Sequence, residues 1–335
     1  VGSEMCIRDR LIILFAIPLM LGNICQQLYT MVDTMVVGQI AGVEALAALG
    51  AVDFLMWVVT GISTGLTQGF SIQLSQYYGA KDFENLRKSL AHSYRLTAFI
   101  AAGVLILSQS FASLVLTGLH TPSNIIGMSL LYLRIIFCGI PATAAYNMFA
   151  SALRAMGNSK TPLTAMIIAS VLNVSLDILF VAGFGWGVAG AAIATVIAQS
   201  FSAVYCFLIL RRIDIVHLTR ADFMPASGMN VRLMKLGIPV VFQNIIIGVG
   251  GLVVQYVING YGFLFVAGFT ATNKLYGLLE MAAISYGYAI VTYVGQNLGA
   301  GKIDRIRKGV RSSMLLSLLT CLLYTSPSPR DTERS

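Results

Sequence analysis

Long apolar stretches broken by short polar ones dominate the chain. They run over about 11–37, 46–78, 90–117, 124–150, 161–183, 187–210, 233–258 and 264–296, and a ninth begins near Ser312. A helix needs about 20 mostly apolar residues to cross the hydrocarbon of a bilayer, so each stretch predicts a membrane-spanning helix. Several exceed that length, which predicts tilt or extension beyond the membrane. The polar connections alternate in charge. Those after the second, fourth, sixth and eighth stretches carry Lys81, Arg87 and Lys88; Arg154 and Lys160; Arg211, Arg212, Arg220, Arg232 and Lys235; and Lys302, Arg305, Arg307, Lys308 and Arg311. The intervening ones, near 38–45, 118–123, 184–187 and 259–263, hold neither Lys nor Arg. Because basic loops stay in the cytoplasm, odd-numbered spans are expected to run outward from a cytoplasmic N-terminus.

Composition agrees. Of 335 residues 57% are hydrophobic and only 11% charged, and mean hydropathy is +0.79. A soluble domain carries about 25% charged residues, so a soluble enzyme, a disordered chain and a disulfide-stapled module are all excluded. The net charge of +8 reads as a topology signal, with attraction to anionic lipid headgroups as an addition and nucleic acid as no partner. Five scattered cysteines have no metal spacing, so neither a disulfide nor a metal cluster is inferred.

The chain repeats itself. Residues 75–89 read SQYYGAKDFENLRKS and residues 295–309 read GQNLGAGKIDRIRKG, 220 positions apart, and Pro18 and Pro239 stand near the same offset. Six spans precede the second copy, so both halves point the same way, which implies a parallel repeat about an axis along the membrane normal. The expected fold is an all-α polytopic membrane protein with two pseudo-symmetric bundles. Residues 11–210 form a complete first bundle of six spans, 211–232 a cytoplasmic linker, and 233–320 a partial second bundle of about two and a half spans. The ends, 1–10 (VGSEMCIRDR) and 321–335 (beginning CLLYTSPSPRD), back-translate to one DNA stretch and its reverse complement. They are expected to be non-native read-through from a sequencing adaptor, outside the fold.

Ionisable groups inside spans are costly and mark function. Asp33, Asp53, Arg134, Asp177, Lys274 and Glu280 qualify. The three aspartates fall at similar depth, toward the outer side. Tyr29 and Asp33 are four apart and share a helix face, as do Asn173 and Asp177. Two carboxylates, an amide oxygen and hydroxyls suit a hard cation, because such ions take oxygen ligands. The same set can hold a proton, since burial and a second carboxylate both favour the protonated acid. Interhelical hydrogen bonding alone is the structural alternative. Asp53, near the start of its helix, is read as facing an aqueous vestibule. Arg134 is read as snorkelling outward, with a counter-ion to one of the carboxylates as the alternative. Lys274 and Glu280 are six apart and need not pair. Gly61, Gly65 and Gly69 recur every fourth residue, which predicts close helix packing, and Pro18 with Gly22 weakens one end of the first span.

Several stretches together resemble the multidrug and toxic-compound extrusion (MATE) transporters. They are Pro18–Gly50 (PLMLGNICQQLYTMVDTMVVGQIAGVEALAALG), Arg154–Pro162 (RAMGNSKTP), Asn173–Phe180 (NVSLDILF), Gly187–Thr195 (GVAGAAIAT) and Tyr293–Lys302 (YVGQNLGAGK). The resemblance implies twelve spans in two six-helix bundles, three of them absent here. It also implies export of amphipathic or cationic small molecules in exchange for protons or sodium, without a cofactor. It places the cation site at Asp33, Asn173 and Asp177, where sodium would bind, with Tyr29, Thr195 and Tyr132 at matching positions. Some relatives carry a carboxylate in the seventh span. Pro239–Gly251 offers only Gln243 and Asn244 there, which favours coupling in the first bundle. Gln243, Asn244 and Glu280 remain candidates to line the substrate cavity. The expected protein is a monomeric multi-pass antiporter of the inner (cytoplasmic) membrane, in contact with lipid and a drug-like substrate. The nearest rival, a lipid-linked precursor flippase of the same superfamily, would need a cationic cavity to grip pyrophosphate. A membrane enzyme would need a nucleophile with a base or metal-spaced ligands, which His92, His120 and His217 do not supply.

Overall fold

The computed structural model describes residues 2–224 and 226–325; side chains at 2–13, 274–275, 278–283 and 319–325 lie outside that description. Among the described residues the regular structure is entirely helical. It comprises α1 (Gly2–Ile40), α2 (Val43–Gly50), α3 (Asp53–Gly79), α4 (Phe83–Gly118), α5 (Ile126–Cys138), α6 (Ile140–Ala155), α7 (Lys160–Asp177), α8 (Gly187–Arg211), α9 (Met229–Asn259), α10 (Phe263–Gly299) and α11 (Ile303–Thr325). Five stretches among the described residues are long and apolar enough to cross a bilayer, α2–α3 counted as one, and the bent pair α5–α6 makes a sixth. Of the end segments set apart by sequence, 2–10 continues α1 and 321–325 continues α11; 326–335 lies outside the described residues.

Two spans expected to be continuous are broken. Between α5 and α6 the axis bends by 48°. Pro141 sits in the first turn of α6, where a missing N–H costs nothing but where the preceding helix cannot run through. The second span breaks at Ala51 and Val52, behind Gly50, where a Cβ would run into the Thr270 side chain. Pro18, by contrast, lies within α1 without ending it.

Outward faces are apolar, as lipid requires: Phe99, Ile106, Leu114 and Val171 are all more than half exposed. Inward faces are built from small residues. Ala45, Ala47, Ala48, Ala144, Ala191, Ala192 and Ala194 are fully buried, which lets backbones approach where no hydrophobic effect drives helices together. Residues 211–228 form a linker with two short 3₁₀ turns, Asp214–Val216 and Arg220–Phe223. It is tied to α4. His92 is buried and contacts the Asn230 Oδ1 at 2.7 Å and the Met224 carbonyl at 3.1 Å. Arg95 donates to the Phe223 carbonyl, and Arg87 stands 3.8 Å from Asp222.

The α3–α4 turn is capped locally. The Asp82 carboxylate accepts from the Asn85 backbone N–H at 3.1 Å and from its side-chain amide at 2.7 Å, which holds the acid below its usual range. An acid depressed in the folded state contributes stability above its unfolded pKa and loses it as pH falls through the folded one. Asp82→Ala is therefore expected to cost about 1 kcal/mol at neutral pH. That gap should close in acid below about pH 4, where the wild type also loses its cap. Thermal unfolding of the two proteins across pH checks this; a gap that widens in acid would contradict it.

Candidate functional site

Four helices meet around a buried polar group near the end of the molecule remote from the linker. Asp33 and Tyr29 come from α1, Tyr132 from α5, Asn173 and Asp177 from α7, and Thr195 from α8. Asn173 and Asp177 are wholly buried, while Asp33, Tyr29 and Tyr132 are 4%, 5% and 6% exposed. Tyr29 with Asp33, and Asn173 with Asp177, lie one helical turn apart on their own helices, so each pair points the same way. The Asp33 and Asp177 carboxylates lie within electrostatic reach of each other, and both lie within reach of the Tyr29 and Tyr132 hydroxyls.

The hydrogen bonds leave an uneven remainder. Asn173 turns its Nδ2 to the Thr195 hydroxyl at 3.4 Å, and Gln199 turns its Nε2 to the Tyr29 hydroxyl at 3.1 Å. Asn173 and Gln199 thus each turn the amide nitrogen, and not the amide oxygen, to a hydroxyl. Both Asp177 oxygens, the Asn173 Oδ1 and the Gln199 Oε1 are buried with no donor among the described residues. A buried acceptor left bare costs about 1–3 kcal/mol, and a bare carboxylate costs more. What suits such a wall is a positive charge.

Gln199 was not among the residues singled out from sequence. Its signal was present: Thr195 and Gln199 repeat the four-residue spacing of Tyr29–Asp33 and Asn173–Asp177. Directly after Asp177 the chain leaves α geometry for a π-helical turn, Ile178–Gly183, a departure that recurs at functional sites. Two left-handed glycines, Gly185 and Gly187, follow the turn; Phe180 stacks on Trp186 at 5.2 Å, and Phe184 meets Trp186 at a tilt, 5.3 Å away.

The remaining candidates lie elsewhere. Asp53 opens α3 and is half-buried, within electrostatic reach of Tyr132. Arg134 is exposed on α5. Gln243 is exposed on α9, and Asn244 donates to the Gly61 carbonyl at 3.1 Å. The side chains of Lys274 and Glu280 lie outside the described residues.

The sequence model of the MatE family matches residues 18–179 and again 239–326. The chain belongs to the MatE family. The two matches begin on the repeated prolines Pro18 and Pro239, so the repeat is two copies of the MatE unit. Similar MatE proteins include the probable multidrug resistance proteins YoeA and YpnP of Bacillus subtilis. YoeA is 29% identical over 91% of this chain and 68% of its own length, and YpnP 31% over 88% and 66%. The multidrug export protein MepA of Staphylococcus saprophyticus is 22% identical over 92% of this chain and 69% of its own length. The chain thus spans about two thirds of the length of these relatives. Among solved structures, the outward-facing conformation of a multidrug resistance MATE transporter superposes with a TM-score of 0.85 at 22% identity, over 93% of this chain and 70% of that one. A MOP superfamily transporter from Pyrococcus furiosus, described as having a binding pocket of reverse polarity that suggests a different function, gives the same TM-score, identity and coverage. MatE is a family of multi-pass membrane transporters and not of enzymes.

Proposed function

We propose that the chain serves a secondary active exporter of amphipathic or cationic drug-like molecules, driven by a cation that binds in the first bundle. The observation that carries this reading is the donor-poor pocket wall: both Asp177 oxygens and the Asn173 amide oxygen, buried together beside Asp33. Binding a cation there neutralises charge that is expensive in the membrane interior. That gives the ion a differential energy between conformations, and without such a difference no ligand shifts an equilibrium.

Of the two candidate ions, sodium fits the wall better. One proton would satisfy a single Asp177 oxygen and leave the Asn173 Oδ1 bare. A sodium ion engages several oxygens at once, with Asp33, Asn173 and Asp177 as its ligands and Thr195 and Tyr29 holding the amides in place. Tyr132 is buried within electrostatic reach of both carboxylates. The basic residues of the linker and of the α3–α4, α6–α7 and α10–α11 turns support a cytoplasmic position for that end. The ion then enters from outside, and the pocket lies on its side of the membrane.

Fold does not separate this reading from the flippase alternative, since a transporter with reversed pocket polarity superposes equally well. Polarity does: a wall of carboxylates and amide oxygens repels pyrophosphate. The test is dye efflux from everted vesicles bearing the protein at the full length of its relatives, with sodium and proton gradients imposed separately. Efflux driven by sodium is expected. Efflux driven by protons alone would overturn the choice of ion, and none under either gradient would overturn the transport reading.

A further inference from the structure

Arg134 stands on the outward face of its helix. In α5 the packed residues Ser129, Tyr132, Leu133, Ile136 and Phe137 share one face. Leu131, Arg134 and Cys138 lie exposed on the opposite one. The second repeat docks chiefly on α1, α2 and α3, so this face of α5 is left to lipid. Arg134 lies eight residues beyond the start of α5, which is about 12 Å along the helix. Among the described residues no carboxylate pairs with it. A guanidinium keeps its charge everywhere. At membrane depth it therefore needs an anion or a way to the surface.

The surroundings supply a polar lane. Helical side chains lean toward the N-terminus of their helix, and for α5 that end is remote from the linker, which the basic loops support as the outer one. The way there is open: nothing stands within 4 Å of where a Cβ on Gly127 would lie, two turns before Arg134. Alongside, α4 presents Gln109, Ser113 and Thr117, each one turn nearer the outer end than the last. Gln109 donates its Nε2 to the Arg134 carbonyl at 2.8 Å and approaches the Cys138 Sγ at 3.3 Å, so this side of α4 borders α5. Ser113 and Thr117 are exposed, although their exposed neighbours Ile106, Leu107, Phe111 and Leu114 are all apolar. A guanidinium at the foot of a line of hydroxyls matches a phosphate in charge and in hydrogen bonding.

We propose that this lane binds the headgroup of one anionic phospholipid of the outer leaflet, with its phosphate on Arg134 and with Ser113 and Thr117 alongside its other headgroup oxygens. A net anionic lipid is preferred because a zwitterionic one carries its own ammonium and brings no net charge to the guanidinium. The lipid sits one helix away from the ion pocket: Tyr132, two residues before Arg134, is buried on the opposite face of α5.

Native mass spectrometry tests it. Phosphatidylglycerol or phosphatidylcholine is titrated into the protein, at the full length of its relatives, in detergent. The wild type is expected to hold one phosphatidylglycerol more tightly than any phosphatidylcholine. Arg134→Leu should weaken that lipid about tenfold or more, as loss of a charge-assisted contact does. Arg134→Lys should fall between, since it keeps the charge but not the fork. Arg211→Leu with Arg212→Leu, at the cytoplasmic end of α8, should leave that lipid in place. Arg134→Leu turns an apolar side chain to lipid and is expected to melt no lower than the wild type in phosphatidylcholine nanodiscs. If it fails to assemble, Ser113→Leu with Thr117→Leu decides: it fills the lane, keeps Arg134 and should weaken the same lipid severalfold. Unchanged phosphatidylglycerol affinity in the variant that decides would overturn the site. So would a wild type that holds the two lipids equally, which would leave Arg134 merely reaching for water.

Discussion

Asp177→Asn is expected to uncouple the protein from its ion while making the ion-free form more stable. The carboxylate has both oxygens buried and bare, so its charge is a cost to the folded state until a cation arrives. Asparagine removes that cost. It also removes the charge that holds the ion; a charge-assisted contact is worth about 1.5–3 kcal/mol, or about 10- to 100-fold in ion affinity. Two measurements follow from one variant. Sodium at 100 times the wild-type dissociation constant should stabilise the wild type by about 2.7 kcal/mol and the variant by only about 0.4–1.4 kcal/mol. Sodium-driven dye efflux should fall to background. If Asp177 served only to bridge helices, the variant would melt lower or unchanged and its sodium response would persist. Thr195→Val is the graded control. It removes one long hydrogen bond to Asn173 and should weaken sodium binding by no more than about fivefold.

The first-bundle polar group was legible in sequence because a membrane leaves few reasons for an Asp in a span. Asp33 and Asp177 announced themselves by charge, and Tyr29 and Asn173 by lying one helical turn away. Gln199 has the same spacing from Thr195 but no charge, so it passed as an ordinary amide until its Nε2 was found on Tyr29. The π turn after Asp177 was not legible. Apolar residues run on through Ile178–Val181 as they would in an α-helix, and the Phe180–Trp186 stack and the Gly190 approach to Phe180 that accompany the turn are tertiary contacts. Long apolar helices were legible because bilayer thickness fixes their length, and among the described residues five or six of the predicted stretches are long and apolar enough to cross. The breaks within them depend on Pro141 and on what presses against Gly50, and only the second is a tertiary fact. The repeat was visible as a motif, but a motif cannot show that Gln68 on α3 donates to the hydroxyl of Tyr288 on α10, its own equivalent 220 positions on.

The glycine stripe of α3 shows the same division, and it carries the second large effect. Sequence predicted a close approach at Gly61, Gly65 and Gly69 without naming the partner. The partner is α9, the first helix of the second repeat, and the approach tightens along the stripe. A Cβ on Gly61 would lie 3.2 Å from the Asn244 Cβ, one on Gly65 2.9 Å from the Val241 Cα, and one on Gly69 against the Gly237 backbone itself. A neighbouring side chain can yield; two helix backbones cannot, because each is held by its own hydrogen bonds. Gly61→Ala is therefore expected to cost well under 1 kcal/mol. Gly69→Leu should cost about 3 kcal/mol or more, at or beyond the upper end of core overpacking. Gly65→Ala should fall between. Melting temperature and the monodisperse fraction in detergent should follow that order. The Gly69 variant should also free α9 from α3, because Leu66 and Phe70 pack on Gly237 from the same side. A Gly69→Leu protein that melted with the wild type would mean that α9 docks on α3 by some other face. The three variants together separate that outcome from a general intolerance of α3 to substitution, which would lower all of them alike.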